Sequence, residues 1–366
     1  MSSRDEAIDE WVERTAAMVG ETIDEREAWN TRASVDQARH FNNGLGTVNP
    51  RYSIDGDGGE VYPTYLVSVK YPLLHGAMDI DVPMSNVIGF IEYEWDEPIT
   101  IGMDLEGTTV LEDVTDREVD GRRQIDLLTE VPYTADGAPV ARARSRMTYI
   151  SHPGSAHVES GDDRGVYAYS DEERGEIEAV YEAELERVAE GPDTPRFDEL
   201  AVADPLPTIV RGPLTIGDIA AWYAGGGIPF GASIIRYRTT RDHPQTRTLN
   251  PETNWIEHRT HQHLDPLLTE ERGMALPFAS GVQTYSWTTL LVTNWMGRRG
   301  FLKRHREEVL HPHYYSDTLW LRGQVGDLST TDAGPTVGID WSATTQLGTE
   351  VARGRSVVLL PDSSAS

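Results

Sequence analysis

The sequence predicts an α+β protein built from two similar units, each a helix followed by an antiparallel strand meander. Three observations carry that expectation. With 366 residues, the chain exceeds what one hydrophobic core usually supports, so two units of roughly 150 residues are the default. Helical and strand-like segments recur in the same order in both halves. Between Ser151 and Pro207 the composition turns acidic and then rich in Asp and Pro. We therefore expect an N-terminal unit over 1–150, an acidic helical linker over 151–207 and a C-terminal unit over 208–366.

The elements follow in order. The first 30 residues read as a helix, with Ile8, Trp11, Ala16 and Met18 spaced for one face. After a stretch rich in Gly, Asn and Pro, Pro63 to His75 is apolar enough to be a buried central element. Strand character appears at Val87 to Tyr93, Thr108 to Val114, Gln124 to Tyr133 and Ala141 to Ile150. Asp120-Gly121 and Asp136-Gly137 separate them as turn pairs, the second a hairpin signal. In the linker, Ser170 is the candidate N-cap of an acidic helix and Gly191 its stop. The Asp/Pro-rich piece after it suits a strap crossing between the units. Leu214 to Tyr223 reads as a helix opened by Thr215, and a loop-rich insertion runs to about Asn254. Ala279 to Gly297 carries apolar and aromatic residues on most faces, as expected of a helix wrapped by a sheet, with Trp287 and Trp295 in its core. Strands follow at Thr318 to Val325, Thr336 to Ala343 and Ser356 to Leu360.

Composition narrows the function classes. The formal net charge is −28, and lysine occurs only at Lys70 and Lys303. Carboxylates scattered over both halves cost little self-repulsion where salt shortens the Debye length, so we read the charge as adaptation to a high-salt cytoplasm. The absence of any basic stripe with interleaved aromatics argues against a nucleic-acid partner. No apolar run approaches the roughly 18 to 20 residues of a membrane helix. The start, MSSRDEAIDEW, is acidic where a secretory signal is basic and then apolar, so no membrane partner and a cytoplasmic location are expected. Without cysteine there are no disulfides, thiolate nucleophiles or Cys-based zinc sites.

The informative line is HLDPLLTEERGMALPFASG, His263 to Gly281. It resembles, without a gap, the H-x-D-x(3)-A-x(3)-G-F-x(3)-I-A-H-G pattern of MaoC-like (R)-specific enoyl-CoA hydratases. His263, Asp265, Gly273, Ala279 and Gly281 match, while Thr269, Met274, Phe278 and Ser280 are replacements. The resemblance extends over most of the chain to two-repeat members of that family with a dehydratase-like N-terminal repeat. It implies a double hot-dog fold, in which each repeat wraps an antiparallel sheet around one central helix. It also implies reversible hydration of a 2-enoyl-CoA, with the CoA thioester as substrate and no cofactor. His263 would be the base and the Gly281 amide the oxyanion donor. That chemistry suits a near-neutral imidazole and an unpaired N–H at a helix start.

One family feature is missing. The catalytic Asp expected five residues before the His is His258 in this sequence, within HRTHQH. Glu257, one residue earlier, is the carboxylate candidate to partner His263. In the first half GTVNPRY keeps the family Asn-Pro at Asn49 and Pro50, but Thr47 stands for the Asp and Tyr52 for the His. That repeat should be non-catalytic and the C-terminal one catalytic. Arg298, Arg299, Lys303, Arg304 and Arg306 form the densest basic cluster. They would receive the thioester's phosphates, or else cap the long helix and pair with Glu307 and Glu308.

Other readings carry less. The spacing of His258, His261 and His263 with Glu257 matches no helical metal pair. Gly225 to Gly227 lacks the ending of a phosphate loop, and neither Ser280 nor Ser286 sits in a nucleophile elbow. Two functional alternatives stay open: a hot-dog thioesterase and a non-catalytic acyl-thioester-binding subunit. Two fused repeats are complete alone or pair again as a homodimer, and the sequence leaves that choice open.

Overall fold

The computed structural model describes residues 3–23, 30–53, 59–73, 84–151, 164–226, 231–271 and 274–362. The N-terminal half contains α1 (Ser3–Ala16), β1 (Thr22–Ile23), α2 (Val35–Leu45), β2 (Met84–Trp95), β3 (Leu105–Gly107), β4 (Thr109–Val119), β5 (Arg122–Ala135) and β6 (Ala138–Ser151). After α3 (Asp171–Val188) come β7 (Ile209–Arg211), α4 (Ile216–Gly225), α5 (Ile234–Asp242), β8 (Arg247–Leu249), β9 (Ile256–His258) and α6 (Pro266–Glu271). Then follow α7 (Gly281–Trp295), β10 (Phe301–Val309), β11 (Leu319–Thr331), β12 (Gly334–Thr345) and β13 (Glu350–Leu359).

Among the described residues, both halves share one antiparallel sheet of 11 strands in the order β1-β4-β5-β6-β2-β10-β13-β12-β11-β7, with β3 on β5. The halves join at β2 and β10, where Tyr93 lies opposite His305 and Glu92 opposite Arg306. The sheet wraps α7, in which every residue from Val282 to Asn294 is buried. Many of these are polar, and their hydroxyls bond back into the helix, as Thr289 Oγ1 does to the Ser286 carbonyl at 2.7 Å.

The tight hairpins form where expected. Asp120-Gly121 and Asp136-Gly137 all have positive φ, the conformation that two-residue turns between twisted strands require. Ser170 caps α3 with Glu173 completing a capping box, and Thr215 and Asp218 do the same for α4. Trp11 of α1 is buried and meets Tyr149 edge-on at 5.1 Å.

Several expectations change. The helix read over the first 30 residues ends at Ala16, which is exposed, and is followed by β1, with residues 24–29 outside the described residues. The insertion read as loop-rich up to about Asn254 contains α5 and β8. Pro63 to His75 is buried as expected over Thr64 to Val69, but it forms only a 3-10 turn, Pro63–Ser68, and its last two residues lie outside the described residues. Pro63 opens that turn and Pro72 ends the run, leaving no room for a long helix. The Tyr62 hydroxyl before the turn reaches Thr289 and Thr293 at 2.8 and 3.0 Å, docking the first half on α7. Within the stretch rich in Gly, Asn and Pro, for which the sequence predicts no element, Val35–Leu45 is a helix capped by Ser34 and closed by left-handed Gly46. The basic residues 303–306 sit in strand β10, not at the end of a helix.

Helices α2 and α4 pack against each other at glycines. A Cβ on Gly225 would lie 2.3 Å from the His40 carbonyl oxygen and 2.9 Å from Gly44 Cα. Both obstacles are backbone, so the helices themselves must separate. Gly225→Ala is expected to lower stability by about 1–3 kcal/mol, read from the denaturant midpoint.

A buried polar chain ties the linker helix to both halves. Asn49 Nδ2 donates to Asn294 Oδ1 at 3.2 Å, and Asn294 Nδ2 donates to Glu184 Oε1 at 2.9 Å. Glu184 of α3 in turn holds Arg211 of β7 through two bonds of 2.7 and 2.8 Å. Among the described residues, no helix is long and apolar enough to cross a membrane.

Candidate active site

The start of α7 is prepared by its neighbours. The Ala279 N–H donates to the His313 carbonyl at 2.9 Å, and Phe278 forms a β-bridge with Tyr314. Ser280 then caps the helix, its Oγ accepting from the Gln283 N–H. Gly281 is therefore the first helical residue, whose N–H has no acceptor within the helix. Ile88 of β2 packs against Gly281, so a larger residue there would have to displace the end of the Ile88 side chain. A Cβ would lie 2.5 Å from the Ile88 Cδ1 methyl.

His263 ends the 3-10 turn Arg259–His263 and leans on the same segment. Its Nδ1 lies 2.8 Å from the Phe278 carbonyl oxygen. A carbonyl can only accept, so Nδ1 carries the proton and Nε2 presents a lone pair. The ring centroid is 4.3 Å from that of Phe278 and 6.1 Å from that of Tyr223, while part of the residue stays at the surface. Burial among these rings pushes the imidazole down to about 4, against the opposing pull of the Phe278 carbonyl. At neutral pH it is an uncharged base. Tyr223 comes from α4, and its hydroxyl interacts with the Ser280 side chain; burial pushes its ionisation well above the ordinary tyrosine value.

The other sequence candidates are placed differently. Along β9 side chains alternate, so Glu257 and His258 face opposite sides. Glu257 bonds to His261 Nδ1 at 2.9 Å and to Arg236 of α5 at 3.0 Å, so it partners His261 where a pairing with His263 was expected. His258, at the family's Asp position, has Nδ1 2.5 Å from Thr260 Oγ1. Asp265 caps α6, accepting from the Leu267 N–H at 3.0 Å and from Asn250 Nδ2 at 3.3 Å. Gly273 lies outside the described residues.

The basic cluster is engaged in holding the fold. Arg298 donates to the Gly191 carbonyl at 3.1 and 3.2 Å, and the Arg299 N–H to Thr194 Oγ1 at 2.9 Å. Lys303 pairs with Asp96 at 2.7 Å and Arg304 with Glu92 at 2.5 Å. The expected pairing with Glu307 and Glu308 is replaced by pairing with β2, because strand alternation turns Glu307 inward and leaves Glu308 to Arg353. An open groove of about 550 Å³ on the sheet's outer face, lined by Arg306, Arg322, Arg353 and Arg355, contains neither His263 nor Gly281.

At the counterpart position of the first repeat, Tyr52 is buried with its ring 4.9 Å from Tyr62, and burial drives its ionisation far above the ordinary range. Arg51 bonds the Gly297 and Gly300 carbonyls at 3.0 and 2.5 Å. These residues close the far end of α7 and offer no base.

Sequence reasoning missed Tyr223, the Phe278 carbonyl and a titratable network under α7. Glu307 is wholly buried with Oε2 2.7 Å from Thr288 Oγ1, which is 3.0 Å from His305 Nε2. His305 continues to Ser356 at 2.7 Å, and Trp341 Nε1 donates to the same Ser356 Oγ at 3.1 Å. Burial pushes Glu307 up from 4.5 to about 8. Between those two values the folded state holds a proton that the unfolded state lacks, so stability falls as pH rises from about 4.5 through about 8. Glu307→Gln should therefore raise the melting temperature at pH ~8, by an amount equivalent to a few kcal/mol at most, and change it little at pH ~5. Thermal unfolding at the two pH values tests this.

No protein-family profile and no curated protein matches this sequence. Solved structures match in fold. A MaoC-like dehydratase superposes with a TM-score of 0.64 at 14% identity, over 95% of this chain and 100% of its own. A MaoC-like dehydratase from Phytophthora capsici gives 0.53 at 12% identity, over 92% of this chain and 98% of its own. A conserved Mycobacterium tuberculosis protein described as having a double hotdog fold also gives 0.53 at 12% identity, over 93% and 96%. The chain has the double hot-dog fold of MaoC-like dehydratases, as the His263 to Gly281 resemblance implied.

Proposed function

We propose that this protein is a hydro-lyase acting on acyl thioesters, adding water to a 2-enoyl chain or removing it from the 3-hydroxyacyl product. The observation that carries this reading is the His263 bond to the Phe278 carbonyl, which fixes the tautomer with an unprotonated Nε2. Phe278 stands three positions before Gly281, so the segment that orients the base runs into the helix start that offers an open N–H. In hydration, Nε2 takes a proton from water and the hydroxide adds at C3. The electron pair moves onto the thioester oxygen, where the Gly281 N–H stabilises it. The imidazolium then returns its proton to C2, and dehydration is the reverse.

A backbone carbonyl orients the imidazole but stabilises its protonated form less than a carboxylate would, because it brings no full charge. We therefore expect slower turnover than a carboxylate-assisted site would give. Purified protein incubated with 2-enoyl-CoAs of several lengths is the test. Loss of enoyl absorbance without thiol release supports the proposal. Release of free thiol indicates a thioesterase, and binding without either signal indicates a thioester-binding subunit.

A further inference from the structure

The helix α5 is built inside out. Ile234, Tyr237, Arg238 and Arg241 fall at the i, i+3, i+4, i+7 positions of one face and all are exposed, with Ile234 at 73% and Tyr237 at 48%. The opposite side carries Arg236, paired with Glu257, and buried Thr240. Beside it the β8–β9 hairpin exposes Leu249 at 51% and Trp255 at 56%, and Ile235 is exposed as well. A run of large apolar side chains this exposed on neighbouring elements marks a surface that another body covers.

Its charge is the reverse of the rest of the chain. Within residues 231–259, Arg236, Arg238, Arg241, Arg247 and Arg259 outnumber Asp242, Glu252 and Glu257, in a protein of net charge −28; Arg241 pairs with Asp242 at 2.8 Å and Arg236 with Glu257 at 3.0 Å, and the excess of arginine remains. The patch also belongs to the candidate site. β9 runs directly into the turn that ends at His263, and Asn250 of the hairpin donates to Asp265 at 3.3 Å.

We infer that this surface receives an acidic carrier protein that delivers the acyl group as a thioester on a long arm; the inference rests on the thioester reading above and sharpens it. Arginines among aromatic and aliphatic anchors complement a body that is acidic and partly apolar. A second copy of this chain fits worse, since it would bring the same arginine-rich patch against this one. The nucleotide end of CoA has the charge but not the apolar surface to cover Ile234, Tyr237, Leu249 and Trp255 together.

The same 2-enoyl chain is presented to the full-length protein on CoA and on a purified acidic acyl carrier protein. Combining Arg238→Glu with Arg241→Glu is expected to lower kcat/KM for the carrier-borne thioester about tenfold or more through KM, and to leave the CoA thioester unchanged. Trp255→Ser should act in the same direction. The inference is overturned if the charge reversal leaves both substrates unaffected, if it slows both equally, or if the wild type uses the CoA thioester and ignores the carrier. If neither thioester is turned over, the hydro-lyase reading fails separately, and sedimentation of the protein with thioester-free carrier decides the surface. A complex lost on charge reversal supports it, and absence of any complex, or self-association through Trp255, overturns it.

Discussion

His263→Ala lowers kcat/KM for a 2-enoyl thioester by about a hundred- to ten-thousand-fold, the span that removal of a positioned general base produces. The expected loss falls on kcat as well as kcat/KM, because Nε2 acts on the reacting water and not on substrate binding alone. The protein should keep its fold, since the lost contacts are one bond to a carbonyl and ring packing on Phe278 and Tyr223. The wild-type pH profile supplies an independent check. Burial holds the free imidazole down to about 4, so the acid limb of kcat/KM should lie well below the ordinary histidine value of 6.5. An acid limb at 6.5, or full activity in His263→Ala, assigns the chemistry elsewhere.

Glu184→Ala is expected to cost about 3–5 kcal/mol of stability, because it leaves the Arg211 guanidinium buried without its counter-charge. The two side chains keep only 6% and 8% of their surface exposed, so water cannot stand in for the missing carboxylate. The loss spreads further, since Asn294 also donates to Glu184 and Asn49 donates to Asn294. Removing both charges in Glu184→Leu with Arg211→Met should recover most of the loss, as apolar replacements of buried ion pairs often do. Urea midpoints of the single and double variants measure both statements. A single variant as stable as the wild type would show that α3 is not anchored through this pair.

How much of this was legible in the sequence depends on whether local chemistry or packing decides each element. The hairpins at Asp120-Gly121 and Asp136-Gly137 were readable because turns with positive φ at two successive residues select Asp-Gly. Ser170 and Thr215 were readable because caps are local. Strand β10 was not, because its inward residues His305 and Glu307 are polar and erase the apolar alternation on which strand recognition rests. Nor was α2, whose Asn42, Asn43 and Gly44 look like loop until the crossing with Gly225 explains the glycine. In the site, His263 and Gly281 stood in a recognisable spacing. Tyr223 and the Phe278 carbonyl carried no sequence mark, since they reach His263 only through the packing of α4 and of the bridged segment before α7. Glu257 was the right kind of residue, but β9 alternation and Arg236 turn it toward His261.

The seam between β2 and β10 sets the order in which a new chain can be finished. Trp95 ends β2 and Phe301 begins β10, so about 200 residues must be made before the first strand meets its partner. At about 5–20 residues per second, this takes roughly 10 to 40 seconds. A first half folded in that interval would present β2 as an open edge, the kind of surface to which stray chains pair. Glu92 and Glu94 stand on that edge and make such pairing unfavourable. When β10 arrives, Arg304 and Arg306 meet Glu92, and Arg304 also reaches Glu94. The carboxylates that guard the half-made protein become the ones that join its halves.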